Sequence, residues 1–275
     1  MKLNSLPQKM LAEFIGVTLF LTAIVGASNS QYHAMVLAST LALAILFSAN
    51  ISGGHLNPVV SLYFFSKRAL NVVELLAYWV AQLLGGIAGV YLAASIWGTS
   101  VVALPVSYGT TQSGVVIGEI VATTVLVVLV ARLAAANLGA IIPVAVGFWV
   151  FAATQFTATG AQANPAVTFA LMVRDGFGNT NMMIVLAEFI GLLVAILLLL
   201  VFGTSTGSKK PAAKASAPAP AAAPAAAKPV AARKPAAKKA LAKPAPKPTA
   251  KPAAKPAAKS AAAKKPAARK PAVKK

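Results

Sequence analysis

Two stretches nearly repeat each other: Ser52-Gly53-Gly54-His55-Leu56-Asn57-Pro58-Val59-Val60 and Thr159-Gly160-Ala161-Gln162-Ala163-Asn164-Pro165-Ala166-Val167. Each sets small residues before an Asn-Pro and an apolar run after it. Asn is a favoured helix N-cap and Pro a favoured first helical residue. Each stretch therefore predicts an irregular loop that becomes a helix at Asn57 or Asn164. The runs that follow, Val59 to Phe65 and Ala166 to Val173, are too short to span a bilayer, which needs about 20 residues. Two such half-helices meeting at their Asn-Pro starts would together cover one hydrocarbon thickness.

Around them the chain is apolar. It has 275 residues, 58% of them hydrophobic, and a mean hydropathy of +0.74. That composition predicts an integral membrane protein. Six further segments have about the length of a membrane helix: 9–28, 34–51, 71–96, 114–135, 138–158 and 181–203. Lys2 and Lys9 ahead of the first apolar run have the pattern of a signal peptide. Glu13 within the run, and the spans after it, predict an uncleaved first helix instead.

The order span, span, half-helix, span occurs twice. Glu13 lies 44 residues before Asn57, and Glu119 lies 45 before Asn164. Three spans per unit is an odd number, so the two copies run in opposite directions. Inverted repeats with broken helices meeting at the midplane form a transport architecture. The fold expected is an all-α membrane protein: six transmembrane helices plus two re-entrant half-helices in an inverted repeat, followed by a disordered tail. Residues 1–207 form the membrane domain, with repeat one at about 5–97 and repeat two at about 113–203. Residues 208–275 form the tail.

The net charge of +20 divides between these regions. Only six of the 25 basic residues precede position 209, and the other nineteen lie in 209–275. Lys2, Lys9, Lys67, Arg68, Arg132 and the tail fall on one side of a six-span layout, and Arg174 falls opposite, beside Asp175. The positive-inside rule then puts both termini in the cytoplasm of a plasma (inner) membrane protein. The tail is Lys, Ala and Pro in irregular repeats and has little apolar surface to offset its ordering entropy. A solvated spacer, a segment drawn to anionic lipid and a nucleic-acid-binding segment all stay open for it.

Chemistry-bearing residues are few. There is no Cys, which excludes disulfides, thiol catalysis and thiolate metal sites. No metal-ligand spacing, nucleophile triad or cofactor motif is present, so no enzyme is expected and no cofactor is implied. At two facing helix starts, the amides of Asn57 and Asn164 would donate to a passing water, with about half a positive charge from each helix end behind them. That interrupts a proton wire and repels cations. Carbonyls of the two loops would line the lumen, the place where irregular backbone is tolerated at membrane depth.

An intramembrane carboxyl needs a partner. Glu13 and Glu119 are read as holding their half-helix loops, with a proton relay as the competing role. Glu188, near a span end, is expected to be interfacial. His55 has two readings: packing within its loop, or a cytoplasmic pore-lining, pH-sensing group. Gly85, Gly86 and Gly89 are read as close helix packing.

The paired Asn-Pro motifs, with Ala12-Glu13-Phe14-Ile15-Gly16, resemble the aquaporin and glycerol-facilitator family, the major intrinsic proteins. The resemblance covers about 5–203. It implies a homotetramer with one pore per subunit, passing water or small uncharged solutes of the glycerol, urea and ammonia class. It implies a constriction at Asn57 and Asn164, with support from Pro58, Pro165, Glu13, Glu119 and His55. This chain departs from the family at Val59, usually Ala, a small swelling near the constriction. Val167 stands where the family has Arg, and Thr168 where its glycerol-conducting branch has Asp. Counted without gaps, the outer filter falls on Leu37, Ala152, Ala161 and Val167, all apolar. The competing functions are a proton-coupled transporter using Glu13 or Glu119, and a membrane-anchored protein acting through its tail.

Overall fold

The computed structural model describes residues 4–98 and 109–203. The tail and the proposed boundary at 207/208 lie outside them. Eight α-helices occur among the described residues: α1 (Leu6–Gly26), α2 (His33–Ser48), α3 (Pro58–Ser66), α4 (Val72–Trp97), α5 (Gln112–Ala135), α6 (Ile142–Phe156), α7 (Pro165–Asp175) and α8 (Asn179–Phe202). No strand occurs among these residues. This is the expected all-α membrane fold.

Five of the spans are long and apolar enough to cross a membrane, taking the short 3-10 turn Gly139–Ile141 together with α6. The remaining one, α2, has 16 residues and a length of roughly 24 Å at about 1.5 Å per residue. It is shorter than the expected 34–51 because the chain breaks at Ala49 and turns inward toward Gly53 and Gly54, both with positive φ. The half-helices α3 and α7 have 9 and 11 residues.

The two repeats superpose in their bonding. In repeat one α1 packs on α4; in repeat two α5 packs on α8. Glycine lets these backbones touch. A Cβ at Gly85 would meet the Phe14 carbonyl at 2.5 Å, and one at Gly191 would meet the Ile120 carbonyl at 2.9 Å. Hydroxyls then cross the same seams: Thr18 donates to the Gly85 carbonyl (3.1 Å) and Thr124 to the Gly191 carbonyl (3.0 Å). Packing, as expected of Gly85 and Gly89, follows from this geometry. Helices α2 and α6 pack against each other where the repeats join.

Contacts also fix which helix ends share one side. Lys9 of α1 pairs with Glu74 of α4 at 2.7 Å. Asn4 donates to the carbonyls of Asn50 and Ile51 after α2. Arg132 of α5 donates to the Gly203 carbonyl after α8 (2.8 Å).

Candidate functional site: a crossed pair of half-helix starts

The half-helices begin as their sequences dictate. The Asn57 side-chain oxygen accepts from the Val59 amide (3.0 Å), and that of Asn164 from the Ala166 amide (3.1 Å). Pro58 and Pro165 take the first helical position. Each cap leaves its NH2 group for the other repeat. Asn57 Nδ2 donates to the Ala163 carbonyl, and Asn164 Nδ2 donates to the Leu56 carbonyl, both at 2.8 Å. Each NH2 has two hydrogens, so one from each asparagine stays available to the lumen.

Leu56 and Ala163 take left-handed backbone angles, φ 50° and 44°, which are costly for residues with a Cβ. Their amides are held from behind. Leu56 N–H donates to Glu13 Oε2 (2.6 Å) and Ala163 N–H to Glu119 Oε2 (2.7 Å). Glu13 also accepts from Ser52 Oγ (2.6 Å), the His55 amide (3.0 Å) and Gln82 Nε2 (2.8 Å). Glu119 also accepts from the Thr159 hydroxyl and from the Gln162 amide, the latter at 3.0 Å. Both carboxyls are fully buried.

Two cavities flank the asparagines. The inner one, about 60 Å³, is lined by Gly53 to Asn57, Val60, Phe64, Val130, Ile142 and Val146. The outer one, about 20 Å³, is lined by Phe20, Trp149, Val150 and Ala161 to Asn164. Both include Leu41, Leu126, Asn57 and Asn164. A single water needs roughly 10–15 Å³ of such space, so the inner cavity has room for a few water-sized molecules and the outer one for about one. A wider outer mouth, about 170 Å³, has Ser28, His33, Gln162, Arg174 and Asp175 on its wall.

His55 packs beside its loop and borders the inner cavity. Its ring stacks on Phe64 at 4.7 Å, Nδ1 meets the Ser61 hydroxyl at 3.2 Å, and the residue lines the inner cavity. Val59 does not swell the constriction. It packs with Val127, Ala131 and Leu192, while Val60 faces the lumen.

The outer filter needs a correction. Leu37, Ala161 and Val167 are buried in one apolar cluster. Ala152 is exposed, and its neighbour Ala153 is the fully buried member of that cluster. One residue rotates a helix face by about 100°. The buried face of α6 runs through Pro143, Val146, Val150 and Ala153, so Ala152 points away from that face.

Glu188 is also corrected. It is fully buried, not interfacial, and accepts from the Asn164 amide at 2.9 Å. It occupies in repeat two the place of Gln82 in repeat one. Neither residue was singled out as loop support from the sequence. The signal was the alignment of Ala81-Gln82-Leu83-Leu84-Gly85 with Ala187-Glu188-Phe189-Ile190-Gly191, 106 residues apart. No group of three or more His, Cys, Asp or Glu suited to a metal occurs among the described residues.

Comparison with known proteins agrees with this geometry. A family model described as "Major intrinsic protein" matches residues 1–159, more than half of the chain. The chain belongs to the major intrinsic protein family. It is 38% identical over 184 residues to the probable aquaporin TIP1-2 of Oryza sativa subsp. japonica, covering 63% of this chain and 72% of that protein. It is 31% identical over 215 residues to aquaporin-8 of Mus musculus, covering 71% of this chain and 82% of that one. A solved structure, the aquaglyceroporin of Plasmodium falciparum, shares the fold with a TM-score of 0.62 at 18% identity, covering 71% of this chain and 96% of that one. This major intrinsic protein is thus an integral multi-pass membrane protein and a channel for water or small solutes. Its family consists of channels, not enzymes.

Proposed function

We propose that residues 1–207 form a passive channel for water and small uncharged solutes of the glycerol, urea and ammonia class, which excludes ions where Asn57 and Asn164 meet. The observation that carries this is the reciprocal bond between each asparagine and the carbonyl before the other. It aims two helix N-termini and two spare amide hydrogens at one point of a narrow apolar passage. A water there donates nothing to its amide neighbours, and a cation meets two positive helix ends.

The filter is Leu37, Ala161 and Val167, with Ala153 in place of Ala152. It is uncharged and has few donors, so a polar solute recovers little of its lost hydration there. Glu13 and Glu119 act as loop supports, not proton carriers for coupled transport. What supports this is that each receives at least three hydrogen bonds from groups that shape its loop, its span or both.

Four copies assemble with one pore each, their outward apolar faces meeting lipid and one another. Both termini lie in the cytoplasm. For the basic residues 208–275 a solvated spacer, an anionic-lipid-binding segment and a nucleic-acid-binding segment are told apart by salt titration of binding to anionic vesicles and to DNA.

The test is stopped-flow permeability of proteoliposomes to water, glycerol, urea and ammonia, against protein-free vesicles. Flux of at least one of these above the control is expected. Absence of flux for all four would overturn the proposal.

A further inference from the structure

We propose that Trp149 and Phe20 form a second, aromatic constriction inward of the filter, which passes water and ammonia ahead of urea and glycerol. This rests on the channel reading above. The first observation is the contrast between the two cavities beside the asparagines. The inner one has about 60 Å³ and the outer one about 20 Å³, although the inner one carries the rings of His55 and Phe64 on its wall. Phe20 and Trp149 stand on the wall of the outer one. Helix α6 runs from the inner cavity at Ile142 to the outer one at Val150. Trp149 therefore lies one turn inward of Ala153, in the narrower half of the passage.

The inverted repeat shows where the space goes. The offset of 106 residues that carries Glu13 onto Glu119 also carries Phe20 onto Leu126. Between α2 and α6 an offset of 105 carries the buried Leu41, Ile45 and Ser48 onto the buried Val146, Val150 and Ala153. The same offset carries Ala44, buried in the core, onto Trp149. An inverted repeat exchanges the inner and outer halves of a lumen. The outer half thus has Phe and Trp at the places where the inner half has Leu126 and Ala44. An indole in place of a methyl group, and a phenyl ring in place of an isobutyl group, fill the room that the inner half keeps.

Trp149 is held in place. Its Nε1 donates to the Ala122 carbonyl of α5 at 3.0 Å, and its ring meets that of Phe156 edge-on at 5.9 Å. A buried indole N–H needs a partner, and here α5 takes it, so Trp149 offers the lumen carbon and no donor. Phe20 has none to offer. The polar groups of the outer cavity belong to the other wall, to Asn57, Asn164 and the loop before Asn164. Water and ammonia have a single heavy atom and fit a space of about 20 Å³. Urea and glycerol fill more than that space, and they turn polar groups toward an aromatic wall that returns none of their lost hydration.

The experiment uses the full chain in proteoliposomes and ranks water, ammonia, urea and glycerol by stopped-flow permeability. The wild type should pass water and ammonia faster than urea and glycerol. Trp149→Ala should raise urea and glycerol permeability severalfold, glycerol the more, with a smaller change for water. Phe20→Leu, which copies the matching residue of the other repeat, should move the ranking the same way by a smaller factor, and it decides alone if Trp149→Ala does not fold. Phe148, next to Trp149 in the chain, is 72% exposed, and Phe148→Ala should leave the ranking as it is. Unchanged urea and glycerol permeability in the Trp149 and Phe20 variants, an equal rise for all four solutes, or the same rise in Phe148→Ala overturns the constriction. A wild type that passes glycerol as fast as water overturns it too and leaves the channel reading standing. A wild type with no flux of any of the four overturns the channel reading itself, and this inference with it.

Discussion

Leu56 and Ala163 hold left-handed angles that cost a non-glycine residue about 1–2 kcal/mol each. Three groups keep each of them there: a carboxylate on its amide, an asparagine on its carbonyl, and the half-helix that follows. Removing one clasp leaves a buried carbonyl unpaired. Asn164→Ala should therefore lower stability by about 1–3 kcal/mol, read as a drop in thermal unfolding temperature; an unchanged temperature would mean the cross-bond carries no load. At the filter, Val167→Arg puts a guanidinium among Leu37, Ala153 and Ala161. The ratio of water to glycerol permeability should rise, and an unchanged ratio would remove Val167 from the filter. Single residues were legible where their chemistry is local. Asn57, Asn164, Glu13 and Glu119 announce themselves by type and spacing. Ala152 misled because an ungapped count back from Asn164 crosses the turn at Thr157 to Gly160, and one residue of slip turns a helix face away. Glu188 misled because its position along the apolar run says nothing of which side of α8 it occupies.

The half-helices are the elements that the sequence states most clearly, because Asn-Pro both caps and starts a helix. Span lengths were less legible. Hydropathy runs on through Ala49 to Ile51, and the backbone turns there for a reason further along the chain, at Gly53 and Gly54. Helix packing gives a sharp test. A Cβ at Gly89 would lie 2.5 Å from the Thr18 carbonyl and 2.6 Å from Leu21 Cβ, whereas one at Gly139 meets nothing within 4 Å. Gly89→Ala should lose about 1–3 kcal/mol by overpacking, and Gly139→Ala should lose nothing. Equal unfolding temperatures for the two variants would contradict the close α1–α4 seam.

On the scale of the whole molecule, contacts gather the start of α1, the ends of α2 and α3, the start of α4 and the ends of α5 and α8. Lys9, Lys67, Arg68 and Arg132 belong to that set of ends, and Arg174 lies in the outer mouth instead. The inverted repeat was legible because its motifs recur at matched spacing. Its cross-bonds were not, since a hydrogen bond 106 residues long in sequence leaves no local mark. Deleting 208–275 should leave permeability per channel unchanged; a loss of flux would make the tail part of the pore machinery. Mercurial reagents acting through thiols should not inhibit, because the chain has no Cys.

The most direct measurement follows solute uptake and internal pH together in proteoliposomes of the full chain, under a pH gradient held on the acid side of neutrality. A passive lumen through Asn57 and Asn164 predicts uptake that follows the solute gradient alone, with no proton flux above protein-free vesicles. Uptake driven by the pH gradient, or protons entering with the solute, would contradict it.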